Sequence, residues 1–502
     1  MNNETAMRAR ARDICTHVFG ITEFRGRQEE IIAHILSGRH ALVMMPTGMG
    51  KSLCYQLPAL VFDGLTVVVS PLISLMKDQV DSLRAKGIVA AFINSSLSRA
   101  ERDARMRDTL DGKYKLLYVS PERFRNSQFI DMISKCRVSL LALDEAHCVS
   151  QWGNDFRPDY ARVAFIREAL GDPVTVALTA TATKDVRADI IRSTGIPEGD
   201  VAFFNSGILR HNLILEAHDI VGEDEKFGMI FDEISKCSGA VIVYFTLIKS
   251  LERFSEWLDV KRGRRNHLMY HGKLSPGKRR STQNIFLKSD KCLMLATNAF
   301  GLGVDKPDIR AVIHAEVPDS IESYYQEIGR AGRDGKPSRC VLFYTQEDLA
   351  VQIQFLEWRN PDAAFIRNAH TVMKSAGASL HSMDYDEIQE RLVNRDRSDN
   401  RLQTVLNLFD RYGVTTGSVE AHNLSVIDDI PEEILDTDVI RHKQERDRSR
   451  LIAMMNYVKT EECRRDYIHE YFEEPLEECG NCDNCLRPRR DAGSVVTPRH
   501  LR

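Results

Sequence analysis

The chain of 502 residues is 43% hydrophobic and 28% charged, with a net charge of −4. That length exceeds a single core and predicts roughly three or four domains. No apolar run reaches the roughly 18 residues needed to cross a bilayer, and Met1-Asn2-Asn3-Glu4 lacks the basic-then-apolar opening of a secretion signal, so the expectation is a protein with no membrane partner.

From about 40 to 180, short β-rich runs alternate with helical patterns: Ala41–Met45, Thr66–Ser70, Leu116–Ser120, Leu140–Asp144 and Thr175–Ala180. The rhythm restarts at Ala240–Phe245 and continues through His267–His271, Cys292–Thr297, Ala311–Glu316 and Cys340–Tyr344. The pattern predicts an α/β protein with two parallel sheets in tandem, each covered by helices on both faces. The expected domains are 1–208, 209–350, a helical region at 351–447, a cysteine-rich unit at 448–488 and a basic tail at 489–502. Within 351–447 the segments Asp386–Val393 and Asn400–Arg411 read as helices, followed by a short β-like end. A small winged-helix module and a plain helical insert fit that pattern equally. Helix Arg448 to Val458 is expected to lead into the cysteines, and the tail has the composition of a disordered end.

Two strand ends carry chemistry. The run Ala41–Met45 leads into Pro46-Thr47-Gly48-Met49-Gly50-Lys51-Ser52. Gly48 and Gly50 let backbone N–H groups approach phosphate oxygens at the start of a helix. Lys51 would contact the β- and γ-phosphates, and Ser52 would ligate Mg2+. The strict pattern places glycine at position 45, where this chain has Met45. The run Leu140–Leu143 leads into Asp144-Glu145-Ala146-His147. Asp144 would hold Mg2+ through water, and Glu145 would orient or deprotonate the attacking water. A helix cap with a first-turn acid explains Asp144-Glu145 alone, but it does not explain both strand ends together. In the second sheet domain, Gln326-Glu327-Ile328-Gly329-Arg330-Ala331-Gly332-Arg333 sets two arginines three apart on one helical face. ATP clamped between two domains would receive Arg330 and Arg333 on its γ-phosphate.

Of eleven cysteines, four cluster as Cys463, Cys479, Cys482 and Cys485 with spacing C-x15-C-x2-C-x2-C. Such spacing in a reduced protein suits one tetrahedral zinc held by four thiolates. Spacing alone also fits an iron–sulfur cluster.

With these motifs in view, the chain from Phe19 to about Tyr344 closely resembles the RecQ helicases, a family of superfamily 2 DNA helicases. Further matching segments are Ser70-Pro71-Leu72-Ile73-Ser74-Leu75, Ser120-Pro121-Glu122-Arg123, Ala177-Leu178-Thr179-Ala180-Thr181-Ala182-Thr183 and Ala296 to Pro307. Phe19 to Gln28 looks like the family's adenine-reading segment. The resemblance assigns Phe24, Arg25 and Gln28 to ATP, with Gln28 on the adenine edge and Arg25 supporting the base; it also assigns Gln326 to ATP. Gln151 to Tyr160 is similar to the aromatic-rich loop that couples DNA to hydrolysis. There Trp152 and Phe156 would stack on bases, Arg157 would meet phosphate or the nucleotide, and His147 would link the loop to the nucleotide site. Cys463 to Cys485 resembles the RecQ zinc-binding subdomain, which favours zinc.

The resemblance implies ATP-dependent 3′ to 5′ movement on single-stranded and forked DNA with duplex unwinding, in repair or recombination. It further implies a single-strand-binding protein or repair factors as partners, and a cytoplasmic, nucleoid-associated or nuclear setting. A DNA-stimulated translocase that remodels nucleoprotein without strand separation is the alternative. The sequence departs from the family at Ile21, where an aromatic is usual, at Met49 and at Phe245-Thr246-Leu247. The chain ends 17 residues after Cys485 and is expected to be a short form, without the family's usual winged-helix and helical DNA-binding domains after the zinc site.

Overall fold

Strands that are apolar along their whole length must be covered on both faces, and this chain builds two such sheets. The computed structural model describes residues 3–71, 73–94, 96–150, 160–262, 267–301, 304–393, 399–419, 421–476 and 478–487. The first sheet contains β1 (His40–Met44), β2 (Leu65–Val69), β3 (Ala90–Ile93), β4 (Leu116–Val119), β5 (Val138–Leu143), β6 (Val174–Thr179) and β7 (Val201–Asn205). Its strands are parallel, in the order β3-β4-β2-β5-β6-β1-β7. The second contains β8 (Leu213–Asp219), β9 (Ala240–Tyr244), β10 (Leu268–Tyr270), β11 (Leu293–Ala296), β12 (Ile309–His314) and β13 (Ser338–Tyr344). It is parallel too, in the order β10-β11-β9-β12-β13-β8.

The sheets have seven and six strands where the apolar runs predict five each. The additions are β3, β7 and β8, all at sheet edges. Ala90-Ala91-Phe92-Ile93 is short and rich in small residues, while β7 and β8 are only partly buried. A search for continuous apolar runs passes over strands of that kind.

The order in the first sheet brings the carboxyl ends of β1, β6 and β5 side by side. Met45 N donates to Thr179 O at 3.0 Å, and Asp144 N donates to Val69 O at 2.9 Å. The turns after β1, β5 and β6 therefore open on one face, where ligands of such sheets bind.

After the second sheet come helices Gln346–Arg359, Ala363–Ala376, Tyr385–Val393 and Arg401–Tyr412, then an antiparallel pair, β14 (Thr415–Thr416) and β15 (Ser425–Val426). Phe365, Ile366, Met373, Leu402, Phe409 and Ile434 form a core separate from both sheets. This unit touches the first domain where Arg125 donates to Asp410 O at 3.1 Å and to Arg411 O. Helix Thr437–Lys459 begins eleven residues before the expected Arg448 and crosses the 447/448 boundary drawn from sequence. Its first half is strongly charged, so it carries little apolar periodicity, but Asp436 caps it by accepting from Asp438 N and Val439 N. Lys443 Nζ donates to Asn360 Oδ1 at 2.5 Å and Arg359 O at 3.0 Å, which pins together the two ends of the inserted unit.

The cysteine-rich unit shares its core with the second sheet: Leu451, Met454, Tyr457, Ile468 and Phe472 pack with Leu215, Tyr324 and Leu342. Arg464, only 1% exposed, donates to both carboxylate oxygens of Asp483 at 2.6 and 2.9 Å and to Tyr457 O at 2.8 Å. Asp483 also accepts from Ala217 N on β8. Among the described residues no helix is long and apolar enough to cross a membrane. Asp483→Ala leaves a buried guanidinium without its carboxylate and is expected to cost about 3–5 kcal/mol. Chemical denaturation checks this, and an unchanged midpoint would show that the pair is no anchor.

Candidate active site

The turn between β1 and helix Leu53–Val61 is shaped by two glycines, Gly48 at φ +82° and Gly50 at φ +81°. Other residues rarely adopt this backbone. Among the described residues, the N–H groups of Gly48, Gly50, Lys51 and Ser52 donate to no backbone carbonyl. Lys51 Nζ is buried without a hydrogen-bond partner and lies 4.0 Å from Glu145 Oε1. A buried, unpartnered ammonium in a turn with unspent N–H groups is chemistry for a phosphate chain.

Glu145 takes the left-handed backbone, φ +50° and ψ +48°. His147 Nδ1 lies 3.4 Å from Glu145 Oε2 and 3.1 Å from Thr179 Oγ1, and Thr179 Oγ1 donates to Thr181 O. Tyr160 is fully buried and donates to Val69 O at 2.6 Å and to Asp144 O. Burial, with Glu145 beside it, pushes the Asp144 carboxyl up. Burial acts the same way on Glu145, but Lys51, His147 and Arg330 outweigh it and hold that carboxyl below its ordinary value. The two acids are therefore electrically different: both sense Lys51, but Glu145 also senses His147 and the second domain's Arg330, and Asp144 is the more easily protonated.

The second domain closes the site. Helix Ile321–Ile328 is tied to β12 by Glu327, which meets His314 Nε2 at 2.7 Å. Arg330 is buried and donates to Gly301 O. Arg333 Nη1 pairs with Asp305 Oδ1 at 2.6 Å, and its aliphatic stem lies against the phosphate loop. A Cβ added at Gly48 would come within 2.9 Å of Arg333 Cγ. Thr47 Oγ1 donates to Gly329 O at 3.0 Å across the cleft.

The segment expected to read adenine is held against the same loop. Gln28 accepts from Arg25 N at 2.8 Å and donates to Met49 O and Gly50 O at 2.9 and 3.1 Å, while Arg25 Nη1 donates to Gly48 O. Gln28 is buried, so its amide serves the phosphate loop in this conformation. Phe24 packs on the cluster formed by Ala11, Cys15 and Leu57. Gln326 faces the junction formed by His147, Thr181, Glu322 and Arg450. Trp152, Phe156 and Arg157 lie outside the described residues. Thr179, Tyr160 and Asp305, which lie in the matching segments without an assigned role, also shape the site, as do Arg210 and Asn212, which lie outside every motif. Arg210 and Asn212 bond mainly to backbone carbonyls, which leave no pattern in a sequence.

Ligand atoms of Cys463, Cys479, Cys482 and Cys485 all lie within 4.8 Å of one another, close enough for one tetrahedral ion. Cys485 N donates to Cys482 Sγ at 3.4 Å. The Cys479 thiol, hydrogen-bonded to Cys482, and nearby backbone N–H groups hold the Cys482 thiol low, while the same bond pushes Cys479 up and burial pushes Cys463 up. Cys482→Ser is expected to abolish metal binding and expose residues from 437 onward to protease. Metal analysis and limited proteolysis check this, and a metal-free variant as resistant as the parent would show that no ion supports the unit.

Residues 25–189 match the DEAD/DEAH box helicase family, residues 225–335 the helicase conserved C-terminal domain, and residues 429–486 the RecQ zinc-binding family. The chain is 44% identical over 355 residues to the ATP-dependent DNA helicase RecQ of Bacillus subtilis (strain 168), covering 69% of this chain and 58% of that protein. It therefore spans a little over half the length of that relative. It is 38% identical over 392 residues to the probable ATP-dependent DNA helicase RecS of the same organism, covering 78% of this chain and 77% of that one. Among solved structures, the DUF1998 helicase MrfA bound to DNA and AMPPNP is similar with a TM-score of 0.56 at 18% identity, over 70% of this chain and 52% of that one. That likeness shows the shared fold. With both helicase domains and the cysteine unit matched in order, the chain belongs to the RecQ family of superfamily 2 DNA helicases.

Proposed function

We propose that this chain is an ATP- and Mg2+-dependent DNA motor that moves 3′ to 5′ along single-stranded DNA and opens forked duplex, in DNA repair or recombination. The observation that carries the proposal is the meeting of Lys51 and Glu145 with Arg330 and Arg333 across one interdomain cleft. Lys51 and the loop N–H groups bind the phosphates, and Glu145 takes the proton of the attacking water. Arg330 and Arg333 offset the charge that develops on the γ-phosphate. Ser52 and Asp144 would hold Mg2+, which when bound neutralises charge between phosphate oxygens. The buried, mutually repelling Asp144 and Glu145 suit a divalent cation. Because the arginines sit on one domain and the phosphate loop on the other, ATP favours closure and hydrolysis releases it.

DNA as the track is supported by the names of the relatives, which are DNA helicases. The segment holding Trp152, Phe156 and Arg157 follows the Glu145–His147 turn directly in the chain, which suits it to pass base contacts to the nucleotide site. The four cysteines would hold a structural zinc.

One observation favours the second reading, a translocase without strand separation. The inserted unit has the helix, helix, helix, hairpin order of a winged helix, which we take it to be, but residues 362–436 carry fourteen acidic against seven basic side chains. A unit that grips duplex phosphates needs the opposite balance.

Hydrolysis of ATP measured with and without single-stranded DNA, alongside unwinding of a forked duplex, tests both. Stimulated hydrolysis with unwinding supports the helicase; stimulation without unwinding selects the translocase. Glu145→Gln is expected to keep ATP binding while turnover falls about 100-fold or more. Near-normal turnover would remove Glu145 from the chemistry.

A further inference from the structure

Arg210 lies in the link between β7 and β8, the segment that joins the two sheet domains. All three of its guanidinium nitrogens are engaged. Nη1 donates to Thr47 O at 3.3 Å and to Gly329 O at 3.4 Å. Nη2 donates to Ala331 O at 2.7 Å and to Gly332 O at 2.8 Å. Nε donates to Asn212 Oδ1 at 3.3 Å. Asn212 Nδ2 in turn donates to Gly332 O at 2.8 Å and Lys336 O at 2.9 Å.

The acceptors are what matter. Gly329 and Ala331 flank Arg330 in the chain, and Gly332 immediately precedes Arg333. One side chain thus holds the peptide group that precedes each finger arginine, and the Ala331–Gly332 peptide between them. Its remaining carbonyl, Thr47 O, belongs to the phosphate loop of the other domain. Every bonded acceptor is a neutral oxygen, so Arg210 brings its positive charge to a partly buried junction with Asp334 acting on it only at a distance. Five N–H groups in a rigid fork can satisfy five oxygens at once; an ammonium has three N–H groups and no fork.

We infer that Arg210 is a positioning residue for the ATPase reaction: it fixes the height of the Gly329–Arg333 turn above the phosphate loop and so sets where Arg330 and Arg333 meet the γ-phosphate. The inference rests on the reading of this cleft as an ATP-hydrolysing site. Displacing a transition-state group by about 1 Å costs about 100-fold in rate, while ground-state binding through the phosphate loop is left largely alone.

The test compares wild type, Arg210→Ala, Arg333→Ala and the double variant. The measurements are steady-state ATP hydrolysis with single-stranded DNA, equilibrium binding of a non-hydrolysable ATP analogue, and thermal melting. Arg210→Ala is expected to lower kcat about 100-fold while analogue affinity stays within about threefold. The double variant is expected to lose less than the product of the two single losses, because the two changes share the Arg333 interaction while Arg330 is affected only by Arg210. If Arg210→Ala does not fold, Arg210→Lys, which keeps the charge and loses the fork, carries the same comparison. Full turnover in the Arg210 variant, losses that multiply in the double variant, or an affinity loss as large as the loss of turnover would each overturn the assignment. A wild-type chain that hydrolyses no ATP overturns the nucleotide reading and this one with it. An active wild type with an unimpaired Arg210 variant overturns the Arg210 assignment alone.

Discussion

Cations crowd the junction between the two sheets, and much of the site is arranged around holding them there. Lys51, Arg210, Arg330 and Arg333 approach one cleft from two domains. At an effective dielectric near 20, a close like-charge pair repels by about 4 kcal/mol. The fold answers with dipoles and a few carboxylates. Carbonyls take Arg210 and Arg330, Asp305 takes Arg333, and Glu145 is the acid nearest Lys51. Even so, Lys51 Nζ, Arg330 Nε and Arg333 Nε have no hydrogen-bond partner among the described residues. A compact polyanion such as a triphosphate resolves that repulsion and gives the two domains a reason to close on it. Asp305 is 87% exposed, so its hold on Arg333 is screened and easily exchanged for phosphate.

The cysteine-rich unit limits how the domains can move. It is fused to the second sheet through the buried Arg464–Asp483 pair and a shared core. It also reaches the first domain, where Asn205 donates to both carboxylate oxygens of Glu474 at 2.8 Å, and Glu473 lies 3.5 Å from Lys184 and 3.6 Å from Arg187. Glu474 is buried and those bonds are short, whereas the Glu473 pairs are longer and more exposed. Glu474 therefore carries most of this contact, since exposed pairs contribute little. A metal that folds the unit would thus also act on the geometry between the two sheet domains.

The parts of this arrangement that were legible in the sequence share a physical reason. Parallel strands buried on both faces are continuous apolar runs, so β1 and β5 announce themselves and hand over to Gly48–Ser52 and Asp144–Glu145. Clustered cysteines are equally visible. Edge strands such as β8 interleave Glu216 and His218 with apolar residues and do not announce themselves. The start of helix Thr437–Lys459 was hidden because its first half is bound by charge and capping. Gln28 was expected at a base edge, and the structure shows its amide on Met49 O and Gly50 O. Arg210 was invisible because all but one of its partners are backbone oxygens from distant parts of the chain. Motif chemistry points to candidate reacting groups, but side chains such as Arg210 that bridge their backbone are recognisable only once the chain has folded.

Glu145 shows how that spacing is maintained against a cost. A non-glycine residue in the left-handed region costs about 1–3 kcal/mol and persists only where its surroundings over-determine it. Here they do. On one side, Tyr160 holds Asp144 O and Val69 O, and Asp144 N is paired with β2. On the other, Cys148 N donates to Glu145 O at 3.0 Å, and His147 is fixed by Thr179. Glycine at 145 would relieve the strain but remove the carboxylate. An extended backbone there would swing the side chain away from Lys51. The turn is therefore a compromise in which sheet pairing on one flank and the short helix Ala146–Val149 on the other force the acid toward the cleft, where Lys51 and Arg330 keep it ionised.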